Sequence, residues 1–367
     1  MKPKYTKVLL LLSCVGFLLS CNLFNAVSER KKKRDEEQRN LLLLLFPEAA
    51  ESNHALYRYV PDGTTNLPTV EQFTEIAVAS KTSKTKIVLI HGWDASERST
   101  DAVTGKTKKV ENINATWQYA FQFYNIDVAS AQTNYDLYAF TYRTSETVAS
   151  NGERFVESLN SAFEATDKVV VLAHSMGGLV TRAAMYSSSN TNDIIDIVVT
   201  LGTPYYGSPF ASSEYQAGLG VLGDLASFLT ATNGGQDLAH TNNGTGQTSI
   251  SGATNTYLDT LNANTDRDNR FYPYVGVLSS CDSAKSGEIY STGCSTLKNN
   301  SPAFNQSDGI VPYNSAIMAD KSVNFDLATM AEFNFDHKML AFNIPSDEVT
   351  ASAFFTEVMQ KIDTISQ

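Results

Sequence analysis

The chain has 367 residues, 42% hydrophobic and 10% aromatic, which is enough for one large α/β domain with a sizeable core. With 39 acidic residues against 28 basic ones the formal charge is −11, so neither nucleic acid nor an anionic membrane surface is expected as an electrostatic partner. Lipids remain open as substrates.

Lys2, Lys4 and Lys7 precede an apolar run over residues 8–19, and Ser20 and Cys21 follow. This is the layout of a secretory signal. The run is too short to cross a bilayer, which takes about 20 apolar residues. Leu18-Leu19-Ser20-Cys21 resembles the lipobox of bacterial lipoproteins, whose cysteine is lipidated and becomes the first mature residue. The resemblance implies a signal peptide over residues 1–20, a lipid on Cys21, and an exported, membrane-anchored lipoprotein at the outer membrane or cell surface. An uncleaved N-terminal anchor is the alternative, and it too exports the protein. Residues 21–53 read as a charged tether and lead-in, with 29–37 too charged to bury. Residues 41–46, closed by Pro47, suggest a short helical piece packed on the domain that occupies 54–367.

Lys86-Ile87-Val88-Leu89-Ile90 is a buried-strand run that stops at His91-Gly92-Trp93. A helical pattern with Trp117, Ala120, Phe121 and Tyr124 comes next, followed by a strand over 137–142 and a helix over 148–163. In Lys168-Val-Val-Val-Leu-Ala-His-Ser-Met-Gly-Gly-Leu179 the aliphatic residues 169–172 form a strand buried on both faces. Small residues then surround Ser175 before a helical pattern begins. Strand, sharp turn and helix make a nucleophile elbow, which needs small residues two before and two after the serine. Ala173 and Gly177 stand there, Ala173 in place of the usual glycine. A further strand over 194–201 closes in Gly202-Thr203-Pro204.

The alternation fails over about 205–270. Tyr215, Leu219, Leu222, Ala226 and Leu229 recur at helical spacing, and a Gly, Asn, Ser and Thr tract runs from 233 to 256. A long insertion of this kind is usually functional or disordered. A strand returns at 272–278. Cys281 and Cys294 are the only cysteines outside the signal and Cys21. In an exported protein they are expected to form a disulfide, which would stabilise the fold by about 3 kcal/mol. Two buried free thiols are the alternative.

The His-Gly at 91–92 together with Ala-His-Ser-Met-Gly-Gly at 173–178 resembles the bacterial lipase and esterase branch of the α/β-hydrolase superfamily. The resemblance implies a doubly wound, mostly parallel sheet, a serine nucleophile, and the insertion at 205–270 as a lid over the site. A helix fixed on the domain surface is the alternative for that insertion. The early strand's loop and the nucleophile's successor then donate oxyanion amides, those of Trp93 and Met176. In the superfamily the order is Ser, acid, His. His54, His91 and His174 precede Ser175 and are excluded; His240 lies in the polar tract, so His337 is the expected base. Asp308, in Asp-Gly-Ile-Val, resembles the loop that bears the catalytic acid. Asp282, which follows the preceding strand, is the runner-up, and Asp336 is too close in sequence to face its neighbour's ring. The expected activity is hydrolysis of a lipid or small carboxyl ester. Phospholipase or acyltransferase chemistry on the same fold, or a non-catalytic binding lipoprotein, are the alternatives. No organic cofactor is expected, and Lys338-Met339-Leu340 after the histidine does not match the calcium site of many bacterial lipases, so no metal is expected either.

Overall fold

The structure, a computed structural model, describes residues 53–76, 78, 83–94, 105–126, 134–212, 229, 231–240, 255–318 and 331–366. All belong to the unit Asn53–Gln367. The expected signal, Cys21, the charged run 29–37 and the apolar stripe as far as residue 228 lie outside the described residues.

Eight strands form one sheet in the order β2-β1-β4-β3-β5-β6-β7-β8. They are β1 (Ala55–Tyr59), β2 (Phe73–Glu75), β3 (Thr85–Ile90), β4 (Tyr135–Thr141), β5 (Val169–His174), β6 (Ile195–Leu201), β7 (Phe271–Gly276) and β8 (Ala331–Phe333). β1 runs antiparallel to β2 and β4, and every other pairing is parallel. The parallel strands read as continuous apolar runs because both their faces are covered. Ile87, Leu89, Val170 and Leu172 pack with α1 (Lys106–Ile126) and the C-terminal helix α8 (Glu348–Ile365). Val88, Ile90, Val169 and Val171 point the other way, onto α2 (Val148–Ala162) and α3 (Met176–Tyr186). Successive side chains therefore feed two separate cores, which is the doubly wound arrangement expected from the pattern. With an antiparallel first hairpin, β3 beside β4 and β5, and a serine turn after β5, this is the α/β-hydrolase fold.

The remaining α-helices among the described residues are α4 (Asn233–Asp237), α5 (Thr256–Asn262), α6 (Glu288–Asn300) and α7 (Tyr313–Ala316). The Gly, Asn, Ser and Thr tract begins in regular structure: residues 233–237 are helical, and Leu238, Ala239 and His240 are buried. Glycine allows it. Gly234 faces the Thr144 and Glu146 carbonyls so closely that a Cβ would collide with them, and Gly235 sits in the same way on Leu229. Gly207, at φ +77°, lets the Ala239–His240 backbone approach. Residues 241–254 lie outside the described residues.

The expected disulfide joins Cys281 to Cys294, with Cα atoms 5.4 Å apart, tying the turn Cys281–Ser283 to α6.

Candidate active site

β5 ends at His174, and α3 begins at Met176. Ser175 between them has φ 54° and ψ −125°, a conformation costing about 1–3 kcal/mol that persists only where surroundings impose it. Its N–H donates to the Leu201 carbonyl at 2.9 Å, and its carbonyl accepts from Gly178. The small neighbours are required sterically. A Cβ on Gly177 would stand 2.6 Å from the Ile90 carbonyl, one on Gly92 would stand 2.8 Å from Ser175 Cβ, and one on Gly178 would overlap the Thr203 side chain. Ala173 is fully buried within the sheet between Ile90 and Thr200, so its methyl is accommodated.

Asp308 and His337 meet from two different loops. His337 Nδ1 lies 2.6 Å from Asp308 Oδ2, and the His337 N–H donates to the Asp308 carbonyl at 2.9 Å. Asp308 Oδ1 accepts the N–H groups of Ile310 (2.9 Å) and Val311 (2.7 Å), so the turn Asp-Gly-Ile-Val holds its own carboxylate in place. Gly309, at φ +92°, makes this turn possible. Gly202, at φ +63°, leaves the room in which the pair sits; a Cβ there would be 3.1 Å from both His337 Nδ1 and Asp308 Oδ2. Asp282 is exposed in its turn, and Asp336 turns its carboxylate to backbone amides rather than to the imidazole.

The other histidines have separate places. His174 Nε2 donates to the His337 carbonyl at 2.9 Å, and its ring lies 4.7 Å from that of His337. Burial, and then the neighbouring His337, push its pKa down to about 3, so it is neutral at pH 7. His91 stacks on Tyr142 with ring centroids 4.5 Å apart and is likewise pushed down by burial. His240 is enclosed beside Phe304, its Nδ1 at 3.0 Å from the Tyr206 carbonyl.

Ser175, His337 and Trp93 line one cavity of about 410 Å³. Its lining includes the apolar residues Phe210, Leu229, Leu238, Ile289 and Ile310 and the polar residues Asn112, Thr116, Asn343 and Lys338. Asn112 and Thr116, four apart on α1, share a helix face turned to the cavity, a polar strip that the apolar reading of this helix passed over. Met176 opens α3, so its N–H is among those that a helix leaves without an internal partner. Among the described residues no group of three His, Cys, Asp or Glu side chains is arranged to hold a metal ion.

Strand order and site geometry together give a chain with the α/β-hydrolase fold, a serine turn after β5 and an Asp–His pair lining the same cavity. Residues 81–255, just under half of the chain, match the model of the PGAP1-like alpha/beta domain; Ser175, Trp93 and Met176 fall inside this span. No curated protein matches the chain significantly. Among solved structures, it is similar to a Bacillus licheniformis lipase, BlEst2 in mature form, at 18% identity and TM-score 0.40, covering 72% of this chain and 89% of that one. It is also similar to the metagenomic carboxyl esterase MGS0156 (16% identity, TM-score 0.44, 79% of this chain and 78% of that one). A third likeness is to phospholipase PlaB from Legionella pneumophila (17% identity, TM-score 0.40, 64% of this chain and 46% of that one). The fold assignment rests on strand order and pairing, not on these likenesses.

Proposed function

We propose that this chain is a serine hydrolase that cleaves carboxyl esters of lipids, in the manner of a lipase or esterase, through an acyl-enzyme. The observation that carries this reading is the lining of one cavity by a serine held at φ 54° and by a histidine whose Nδ1 is 2.6 Å from a buried aspartate. In the proposed cycle His337 Nε2 takes the proton of Ser175 as its oxygen attacks the ester carbonyl. Asp308 keeps the Nδ1–H tautomer facing it and stabilises the imidazolium. The amides of Trp93 and Met176 hold the oxyanion. The imidazolium then protonates the leaving alcohol, and water, activated by the same imidazole, releases the carboxylic acid and restores Ser175. No step calls for an organic cofactor.

The apolar residues lining the cavity suit an acyl chain, and its volume lies in the lower part of the roughly 300–1,000 Å³ typical of ligand pockets. Membrane anchoring through a lipid on Cys21 belongs to the same proposal and rests on the sequence alone; fatty-acid labelling that persists in Cys21→Ala would remove it. Among the described residues no helix is long and apolar enough to cross a membrane.

Turnover of a soluble ester by point variants tests the chemistry. Ser175→Ala is expected to abolish it, and Asp308→Asn and His337→Ala each to lower kcat on the order of 10³-fold or more. Wild-type rates in Ser175→Ala would refute the mechanism. A silent Asp308→Asn beside an inactive Asp282→Asn would move the acid to Asp282.

A further inference from the structure

Asp336 takes no part in the chemistry above, yet it is fully buried. Among the described residues no lysine, arginine or histidine pairs with it. Instead four backbone N–H groups donate to its carboxylate. Those of Lys285 and Ser286 reach Oδ2 at 2.8 Å each, and those of Lys338 and Met339 reach Oδ1 at 3.2 and 3.1 Å. A carboxylate is costly to bury unless its lone pairs are met, and bonds to a charged acceptor are roughly twice as strong as neutral ones. The four donors come from two stretches of chain. One is the turn that follows His337. The other leads from the Cys281–Ser283 turn into α6, inside the loop that the disulfide closes.

The same closed loop also bears on the acid. Gly309, directly after Asp308, lies against the Tyr290 backbone on α6, where a Cβ would stand 2.5 Å from the Tyr290 carbonyl. Gly293, next to Cys294, faces the Gly309 carbonyl at a distance that admits no Cβ. The segment Cys281–Cys294 therefore touches the turn of Asp308 on one side and is gripped, through Asp336, by the loop of His337 on the other.

We propose that Asp336 is a positioning residue: by binding the amides of Lys285, Ser286, Lys338 and Met339 it fixes the disulfide-closed segment to the His337 loop and so holds His337 in register with Asp308 and Ser175. This rests on the hydrolase reading given above. An amide in place of the carboxylate would turn an NH₂ group toward backbone donors, release one pair of them, and let the His337 loop shift. A displacement of about 1 Å in a catalytic group lowers rate on the order of 10²-fold.

The experiment measures kcat and KM for a soluble butyrate ester in wild type, Asp336→Asn and Cys281→Ser/Cys294→Ser, with rates expressed per folded molecule and thermal unfolding followed in parallel. The proposal expects kcat in Asp336→Asn to fall by about tenfold to a hundredfold with KM within about twofold, and fluorophosphonate labelling of Ser175 to slow by the same factor. The cysteine variant keeps the carboxylate but opens the segment it grips; it is expected to lose kcat in the same direction, and it carries the test should Asp336→Asn not fold. A lower melting temperature with wild-type kcat per folded molecule would make Asp336 structural only and overturn the proposal while leaving the hydrolase reading intact. Wild-type protein that hydrolyses no ester and takes no label would overturn both.

Discussion

His174 lies directly before Ser175, and its neutral ring donates to the His337 carbonyl. Its pKa is pushed from 6.5 to about 3, chiefly by burial and then by His337; unfolded, it would take a proton near 6.5. Between those values the unfolded chain binds the extra proton, so stability falls as pH falls through the window, by up to about 1.4 kcal/mol per unit. His91, lowered by burial, and His54, lowered to about 4 by burial and then by Arg154, add with the same sign. Asp237 opposes them below pH 6, because burial raises it to about 6 and the folded state then holds the proton. Thermal unfolding between pH 7.5 and 6.5, where Asp237 has taken up little of its proton, reads mainly the histidines: the midpoint should drop across that interval, and a rise would contradict the neutral burial of these rings. At this scale the serine turn was legible because sterics write it into the sequence: Gly177 and Gly178 stand where no Cβ fits. The amide cage of Asp336 was not legible, since backbone donors leave no trace in residue identity.

Among the elements, α3 carries the serine turn on its N-terminus and is pinned near its other end by a buried ion pair. Arg182 is fully enclosed, bonded to Asp268 at 2.5 Å and to the Asn264 carbonyl at 2.5 Å, with its guanidinium over Phe271 and Tyr186. Asp268→Ala would leave an uncompensated buried charge, and urea unfolding should show a loss of about 3–5 kcal/mol. A loss below about 1 kcal/mol would mean that water reaches Arg182. The long parallel strands and the helices α1, α2 and α3 could be read from apolar runs and helical spacing, since burial on both faces fixes composition. β1 and β2 were not read: both are short, β2 at the sheet edge buries only Phe73, and β1, paired on both sides, has Arg58 interrupting its apolar residues. Nor was α6, whose exposed face is polar and which keeps only Gly293, Cys294 and Leu297 buried.

For the molecule as a whole, topology brings residues far apart in the chain to one cavity: Trp93 after β3, Ser175 after β5, and His337 after β8. Order along the chain anticipated which histidine could follow the acid, but only folding decides which carboxylate faces the ring, and it brings Asp308 rather than Asp282 to His337. The extent of the insertion at 205–270 as a lid stayed beyond the sequence pattern, because an apolar stripe reads alike whether it covers a cavity or packs on a surface. The central claim is that Ser175 is a nucleophile activated by its surroundings. The most direct measurement is the intact mass and peptide map of folded full-length protein after treatment with a fluorophosphonate. One adduct on the peptide containing Ser175, absent in Ser175→Ala and after unfolding in urea, is the predicted result. Folded protein that takes no adduct, or takes it on another residue, would contradict the account.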